Sequence, residues 1–279
     1  MKLWELLLTG EETLKAVNIA EYSQDAYTLL EYVFGIDKNY YLMHKMDEVP
    51  SEKEEKYKSL IDIRATRKPV QYITGSAPFM GMDFYVDENV LIPRFDTENL
   101  IEICLKEMSK DKPQKLLDMC TGSGCIAISL NKLFKGHIKV WAVDVDNGAL
   151  GVAKRNNERL DASVEFIQSD LFSNVEGKFN VIVSNPPYIR SEEIKTLMPE
   201  VKDFEPCLAL DGTEDGLKFY REISNQAPAF LENDGLLFFE IGFDQGKDVE
   251  EIMVKAGFTD VKIAKDLCGL DRVIWGRYC

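Results

Sequence analysis

With 279 residues, 45% of them hydrophobic and 29% charged, the chain can bury one full α/β domain and a smaller companion, a profile that excludes a disordered protein. Its 33 Lys and Arg against 48 Asp and Glu leave a formal charge of −15, which argues against broad nucleic-acid binding through phosphates. The six cysteines are scattered, only His44 and His137 accompany them, and no segment reaches membrane-spanning length; free thiols, no metal site and a cytoplasmic protein are expected.

In chain order, the apolar run after Met1 meets Glu11 and Glu12 too soon for a secretory signal and reads as an amphipathic helix. Ser23 and Asp25 precede Ala26, Leu29, Leu30 and Val33, which share one helix face and stop at Gly35. Pro50-Ser51-Glu52-Lys53-Glu54 predicts a capping box, with Ser51 bonding forward and Glu54 reaching back, ahead of a helix through Leu60 and Ile63. From Gln71 to Pro93 short β-like runs, Phe79-Met80 and Phe84-Tyr85-Val86, flank Gly81 and predict a hairpin linker. Three segments are expected: helices over 1–73, the hairpin linker over 74–92, and an α/β domain over 93–279.

Beyond Pro93 strands and helices alternate, the mark of a mostly parallel sheet covered on both faces. Strands are expected at about 115–120, 138–144, 164–170, 179–185, 235–242, 261–266 and 271–278. Helices should start near Thr97, Gly124, Asp146, Gly216 and Gln245. Only Leu267 to Leu270 join the last two strands, too little for a crossover, so they should form an antiparallel hairpin. That is a Rossmann-like, seven-stranded methyltransferase architecture.

The first strand of this domain runs from Leu116 through Asp118 into Thr121-Gly122-Ser123-Gly124 and then a helix. Gly122 and Gly124 allow a sharp turn and close approach to a ligand. Asp144, twenty residues on, stands where a carboxylate can accept both ribose hydroxyls of an adenosyl group. The same glycines satisfy a dinucleotide fingerprint, so a NAD-dependent dehydrogenase is a competing reading. Asp118, placed to meet a cationic amino group, and Asp170, placed to accept from an adenine amino group, favour S-adenosylmethionine. Cys120 and Cys125 read as small packing residues.

The strand Phe179 to Ser184 empties into Asn185-Pro186-Pro187-Tyr188 at its carboxyl end. Two prolines stiffen the backbone there. The Asn185 side-chain carbonyl and the Pro186 backbone carbonyl can accept both N–H bonds of a planar NH2 group and stabilise the charge that builds on its nitrogen during methyl transfer. Tyr188 offers a flat face for stacking. The bland alternative, a proline-stopped strand with an Asn turn, does not account for the glycine loop, Asp144 and Asp170 in order.

Together with these motifs, Pro69-Val70-Gln71-Tyr72-Ile73-Thr74-Gly75, Val90-Leu91-Ile92-Pro93-Arg94, Glu240-Ile241-Gly242 and Asp271-Arg272-Val273 make the chain resemble the HemK/PrmC family of protein-(glutamine-N5) methyltransferases over nearly its whole length. The resemblance implies a peptide chain release factor as partner, methylated on the glutamine of a Gly-Gly-Gln loop, with S-adenosylmethionine giving S-adenosylhomocysteine. It implies cofactor contacts from Cys120, Thr121, Gly122, Ser123, Gly124, Asp144, Leu171 and Asn185, and glutamine contacts from Asn185, Pro186, Pro187 and Tyr188. It also implies that the helices of 1–73 recognise the substrate protein, the alternative being that they brace the fold. Family members often carry Leu-Gly where Met119-Cys120 stand and Trp where Leu171 stands. Arg94 is a candidate holder of a substrate or structural carboxylate, or a surface ion pair. A monomer is expected, with no direct nucleic acid and no membrane. The rivals are a nucleic-acid amino methyltransferase, which should show a basic cleft beyond Arg64-Ala65-Thr66-Arg67-Lys68, and a non-catalytic release-factor adapter.

Overall fold

The computed structural model describes residues 1–108, 114–135 and 137–279. Two compact units emerge, residues 1–76 with 198–204, and residues 77–197 with 205–279. The first unit is helical: α1 (Leu3–Ala16), α2 (Tyr22–Phe34), α3 (Lys38–His44), α4 (Ser51–Ala65) and α5 (Val70–Thr74). Leu6, Leu14, Ala26, Leu29, Leu30, Tyr57 and Ile61 form its core. The expected face of α2 is buried, and α2 ends on left-handed Gly35, whose N–H bonds Glu31 O.

Local helix signals held less well than faces did. Ser51 is already the first helical residue; Pro50 holds the cap position with no side-chain bond, so the capping box is absent. Proline fixes an extended turn one residue earlier than the box needs, and Glu54 pairs forward with Lys58 Nζ at 2.6 Å. The reciprocal contact occurs at α1, where Lys2 N donates to Glu5 Oε2 at 2.8 Å. Ser23 and Asp25 lie inside α2, and Asp25 is buried against Arg64, Nε to Oδ2 2.7 Å. Gln71 belongs to α5, so the linker expected from there begins with a helix.

In the second unit β1 (Ala77–Phe79) and β2 (Met82–Phe84) form an antiparallel hairpin. There follow α6 (Phe95–Glu107), β3 (Gln114–Met119), α7 (Cys125–Leu133), β4 (Ile138–Asp144), α8 (Asn147–Arg159), β5 (Val164–Gln168) and β6 (Phe179–Ser184). Two four-residue helices follow in the chain, α9 (Ser191–Ile194) and α10 (Pro199–Lys202), the latter counted with the first unit, and then α11 (Lys218–Phe230), β7 (Leu231–Glu240), α12 (Gly246–Lys255), β8 (Phe258–Lys265) and β9 (Asp271–Tyr278). The sheet order is β5-β4-β3-β6-β7-β9-β8. The first five strands are parallel; β9 lies antiparallel between β7 and β8.

Strand alternation explains the two layers. Leu116, Val183 and Phe238 face one core with Leu100 and Ile126, while Leu117, Ile182, Leu237 and Phe239 face the other with Tyr220 and Met253. Both faces are apolar, as a parallel sheet under helices on each side requires. The carboxyl ends of β3 to β7 therefore all open on one edge, which is where the cavity lies.

Candidate active site

A cavity of about 320 Å³ is walled by the segments that follow β3, β4, β5 and β6, together with Val90, Arg94 and Thr97 on one side and Pro206, Leu208 and Phe219 on the other. Gly122 lies in it with φ +53, and a Cβ built there would meet nothing within 4 Å, so any side chain would project into open space beside the loop. Gly124, with φ +79, serves packing instead: a Cβ would come within 3.0 Å of Ile128 Cδ1 and 3.2 Å of Ala153 Cβ. Cys120 and Leu171 also wall the cavity, and both hold the left-handed region, at φ 61 and 46, that non-glycine residues seldom occupy. Strain of that kind concentrates where a loop has to meet a ligand. Cys125, read as packing alone, contributes to the wall as well; burial pushes its thiol up to about 12, which keeps it protonated.

Asp144 ends β4 on the cavity wall. Its Oδ2 accepts Gly122 N at 2.9 Å and its Oδ1 accepts Asp146 N at 3.0 Å, so it ties the glycine loop to the next helix; burial raises its pKa. Asp170, two residues past the end of β5, is exposed and also borders the cavity. Asp118 stands differently from expectation. It is fully buried, does not wall the cavity, and braces the loop from within, its Oδ2 accepting Thr121 Oγ1 at 2.6 Å and Ala127 N at 3.2 Å. Strand alternation turns its side chain into the core, and burial pushes its carboxyl up to about 7.

Of the four residues Asn185 to Tyr188, Asn185 and Pro187 wall the cavity, while Pro186 and Tyr188 do not. The Tyr188 ring packs on the core cluster and its hydroxyl donates to Glu240 Oε1 at 3.4 Å, so it supports the loop from behind rather than offering a face to the cavity. Asn185 Nδ2 donates to Thr97 Oγ1 at 3.4 Å, which leaves its Oδ1 as an acceptor. The turn beyond is clamped by backbone: Ile189 N donates to Leu210 O at 3.0 Å and Gly212 N to Ile189 O at 2.8 Å. Gln245, 2% exposed, donates from Nε2 to Tyr188 O at 3.0 Å and accepts Gly242 N at 3.0 Å. Gly216 completes the clamp, since a Cβ there would stand 2.4 Å from Tyr188 O. Arg94 walls the cavity yet holds an internal carboxylate, ion-pairing with buried Glu205, whose Oε2 also accepts Ile92 N at 3.3 Å. Thr97, Gln245 and Glu240 had no local sequence signal as site residues; only the folded register gathers them.

Residues 5–75 match the family described as PrmC N-terminal domain, and residues 97–201 the one described as Methyltransferase small domain. The release factor glutamine methyltransferase of Clostridium acetobutylicum is 38% identical over 279 residues, covering 98% of both chains. That of Clostridium botulinum is 39% identical over 282 residues, covering 99% of both. The crystal structure of a methyltransferase from Pyrococcus furiosus superposes with a TM-score of 0.53 at 22% identity, over 71% of this chain and 90% of that one, a likeness of fold. At such identity over nearly the full length of both curated chains, this protein belongs to the release factor glutamine methyltransferase family.

Proposed function

We propose that the chain transfers the methyl group of S-adenosylmethionine to the side-chain amide nitrogen of the glutamine in a Gly-Gly-Gln loop of a peptide chain release factor. The observation that carries this reading is the placement of Asn185, its Nδ2 engaged by Thr97 and its Oδ1 left as acceptor, on the wall of a cavity shared with the glycine loop. An adenosyl cofactor fits that cavity: open space stands over Gly122, and two carboxylates, Asp144 and Asp170, border it. Bound there, S-adenosylmethionine supplies an electrophilic sulfonium methyl group and leaves as S-adenosylhomocysteine.

The residues divide the remaining work. Asp144 accepts from the ribose hydroxyls and Asp170 from the adenine amino group, with Cys120 to Ser123 and Leu171 as walls. Asn185 Oδ1 and the Pro186 carbonyl accept the two N–H bonds of the substrate amide, whose delocalised lone pair makes it a poor nucleophile on its own. Holding that nitrogen in line and stabilising its growing positive charge is the catalytic contribution; the proton is lost from the cationic product without a dedicated base. Residues 1–73 recognise the release factor. On this reading the enzyme works in the cytoplasm, as a monomer, on protein rather than nucleic acid or membrane.

The test is a labelled-methyl assay with release factor, its Gln→Ala variant and nucleic acid side by side. Label should enter only the intact release factor; label in nucleic acid, or equal label in the Gln→Ala protein, would refute the reading. Asp144→Ala should weaken S-adenosylmethionine by about 1–3 kcal/mol, the scale of hydrogen bonds to a charged acceptor. Calorimetry showing parental affinity in that variant would remove Asp144 from the cofactor site.

A further inference from the structure

Between β2 and α6 the chain from Tyr85 to Arg94 forms neither helix nor strand. Five residues of this strap, Asn89, Val90, Leu91, Pro93 and Arg94, wall the cavity. With no ladder to hold it, the strap depends on side chains from elsewhere. At its carboxyl end buried Glu205 accepts Ile92 N at 3.3 Å and ion-pairs with Arg94. At its amino end the partner is Asn156, which lies in α8 and is 0% exposed. Its Oδ1 accepts Tyr85 N at 2.7 Å, while its Nδ2 donates to Tyr85 O and to Ser123 O, each at 2.9 Å. The neighbouring Arg155 covers the Tyr85 ring, with its guanidinium carbon 3.4 Å from the ring centroid. Ser123 belongs to the glycine loop and walls the cavity, whereas Tyr85 and Asn156 do not.

We propose that Asn156 is a positioning residue for the cofactor, fastening the strap to the glycine loop so that two walls of the cavity stand in place before the ligand arrives. The inference rests on the reading of that cavity as the S-adenosylmethionine site. Asn156 suits the task atom by atom. Its oxygen only accepts and its nitrogen only donates, and it meets one N–H and two carbonyls. Turning the amide over would set donor against donor at Tyr85 N and acceptor against acceptor at both carbonyls. A carboxylate in its place would have no hydrogen for either carbonyl. The helix beneath is seated to deliver the side chain: Ala153, one turn earlier on α8, lies where a Cβ on Gly124 would come within 3.2 Å.

With these bonds made, strap and loop bind as one preorganised surface. Without them each must be ordered as the cofactor enters, and that ordering weakens affinity. The methyl-acceptor side of the cavity, where Asn185 meets Thr97, shares none of the three bonds. The loss should therefore fall on cofactor binding and spare turnover of the saturated enzyme. A control for plain destabilisation lies on α7. Asn131, also buried, holds Ser163 in the same two-point manner, Oδ1 accepting Ser163 N at 3.0 Å and Nδ2 donating to Ser163 O at 3.1 Å. Neither of that pair walls the cavity.

The experiment measures S-adenosylmethionine affinity by calorimetry, thermal melting, and kcat on intact release factor at saturating cofactor, for parent, Asn156→Ala, Asn131→Ala and Asp144→Ala. Asn156→Ala should raise the cofactor Kd about 10- to 30-fold and leave kcat within about threefold. Asn131→Ala should lower the melting temperature as well, yet keep the Kd within about twofold, because its bonds order nothing that meets the ligand. A Kd within about twofold in Asn156→Ala, a loss confined to kcat, or an equal rise in Asn131→Ala would overturn the proposal. Should Asn156→Ala fail to fold, hydrogen exchange in the parent protein decides. Saturating S-adenosylhomocysteine should slow exchange of the Tyr85 amide about tenfold or more, and that of Ser163 much less, since ligand and bond stabilise each other. No slowing at Tyr85, or equal slowing at both, overturns it. Asp144→Ala separates the two layers of argument. Parental affinity there sinks the cofactor reading and this inference with it, whereas a weakened Asp144→Ala beside a parental Asn156→Ala sinks only the role of Asn156.

Discussion

Asn185→Ala lowers kcat by about 10²- to 10³-fold, the loss seen when one preorganised group opposite developing charge is removed. The expected size follows from where the side chain acts. An amide nitrogen carries little nucleophilic density at rest, and positive charge grows on it only as the new bond forms. Asn185 Oδ1 is held by the Nδ2 contact to Thr97 before substrate arrives, so its stabilisation costs no reorganisation during reaction. The cofactor Kd should stay within about threefold, because the carboxylates and the glycine loop that wall the cavity are untouched. Single-turnover transfer of labelled methyl, with calorimetry on the same preparation, measures both. A variant that keeps parental turnover would show that some other group binds the acceptor NH2.

Arg64→Ala costs about 3–5 kcal/mol of stability, the penalty for leaving buried carboxylates without their cation. Arg64, with its side chain 5% exposed, holds Asp25 through Nε at 2.7 Å and Glu200 through Nη2 at 3.1 Å, and Arg67 Nη1 adds a second hold on Glu200 at 3.0 Å. Burial raises the Asp25 pKa even with Arg64 in place, while a backbone hydrogen bond and then the two arginines keep Glu200 low despite its own burial. Set against a total of about 5–15 kcal/mol for a folded protein, the loss is large. Denaturant unfolding should show a lowered midpoint at pH 8, with the loss shrinking at acid pH as the stranded carboxyls protonate. The double variant Asp25→Asn, Arg64→Met should recover part of the loss, since a neutral pair needs no counter-charge. Parental stability in Arg64→Ala would show that water reaches the cluster and screens it.

The two predictions differ in how visible their residues were. Asn185 stands in a tetrapeptide that names its own chemistry, at a strand end set by an apolar run. Arg64 read only as part of the short basic run Arg64-Ala65-Thr66-Arg67-Lys68. Its partners are 39 and 136 residues away, and the segment 198–204 that carries Glu200 joins the helical unit although the chain around it belongs to the other.

What the sequence by itself determined was whatever depends on neighbours along the chain. Apolar alternation and period marked β3 to β9 and the helices α6, α7, α8, α11 and α12, though not the short α9 and α10; the four-residue link between β8 and β9 required an antiparallel pair, and Gly122, Asp144 and Asn185 could be placed because each stands at the end of a readable strand. Even local signals failed where two competed, as when Pro50 took the cap that Ser51 was expected to fill. Tertiary structure alone decided which way a side chain turns and what it meets. Asp118 faces the core because its strand is buried on both sides, Arg94 meets Glu205 across 111 residues, and Tyr188 turns from the cavity to Glu240. Thr97, Glu240 and Gln245 come from three separate segments, and only the order and register of the strands bring Thr97 to Asn185 and Glu240 and Gln245 to Tyr188. A hydrogen-bonded polar group needs its partner in space, and no local pattern of residues encodes that partner.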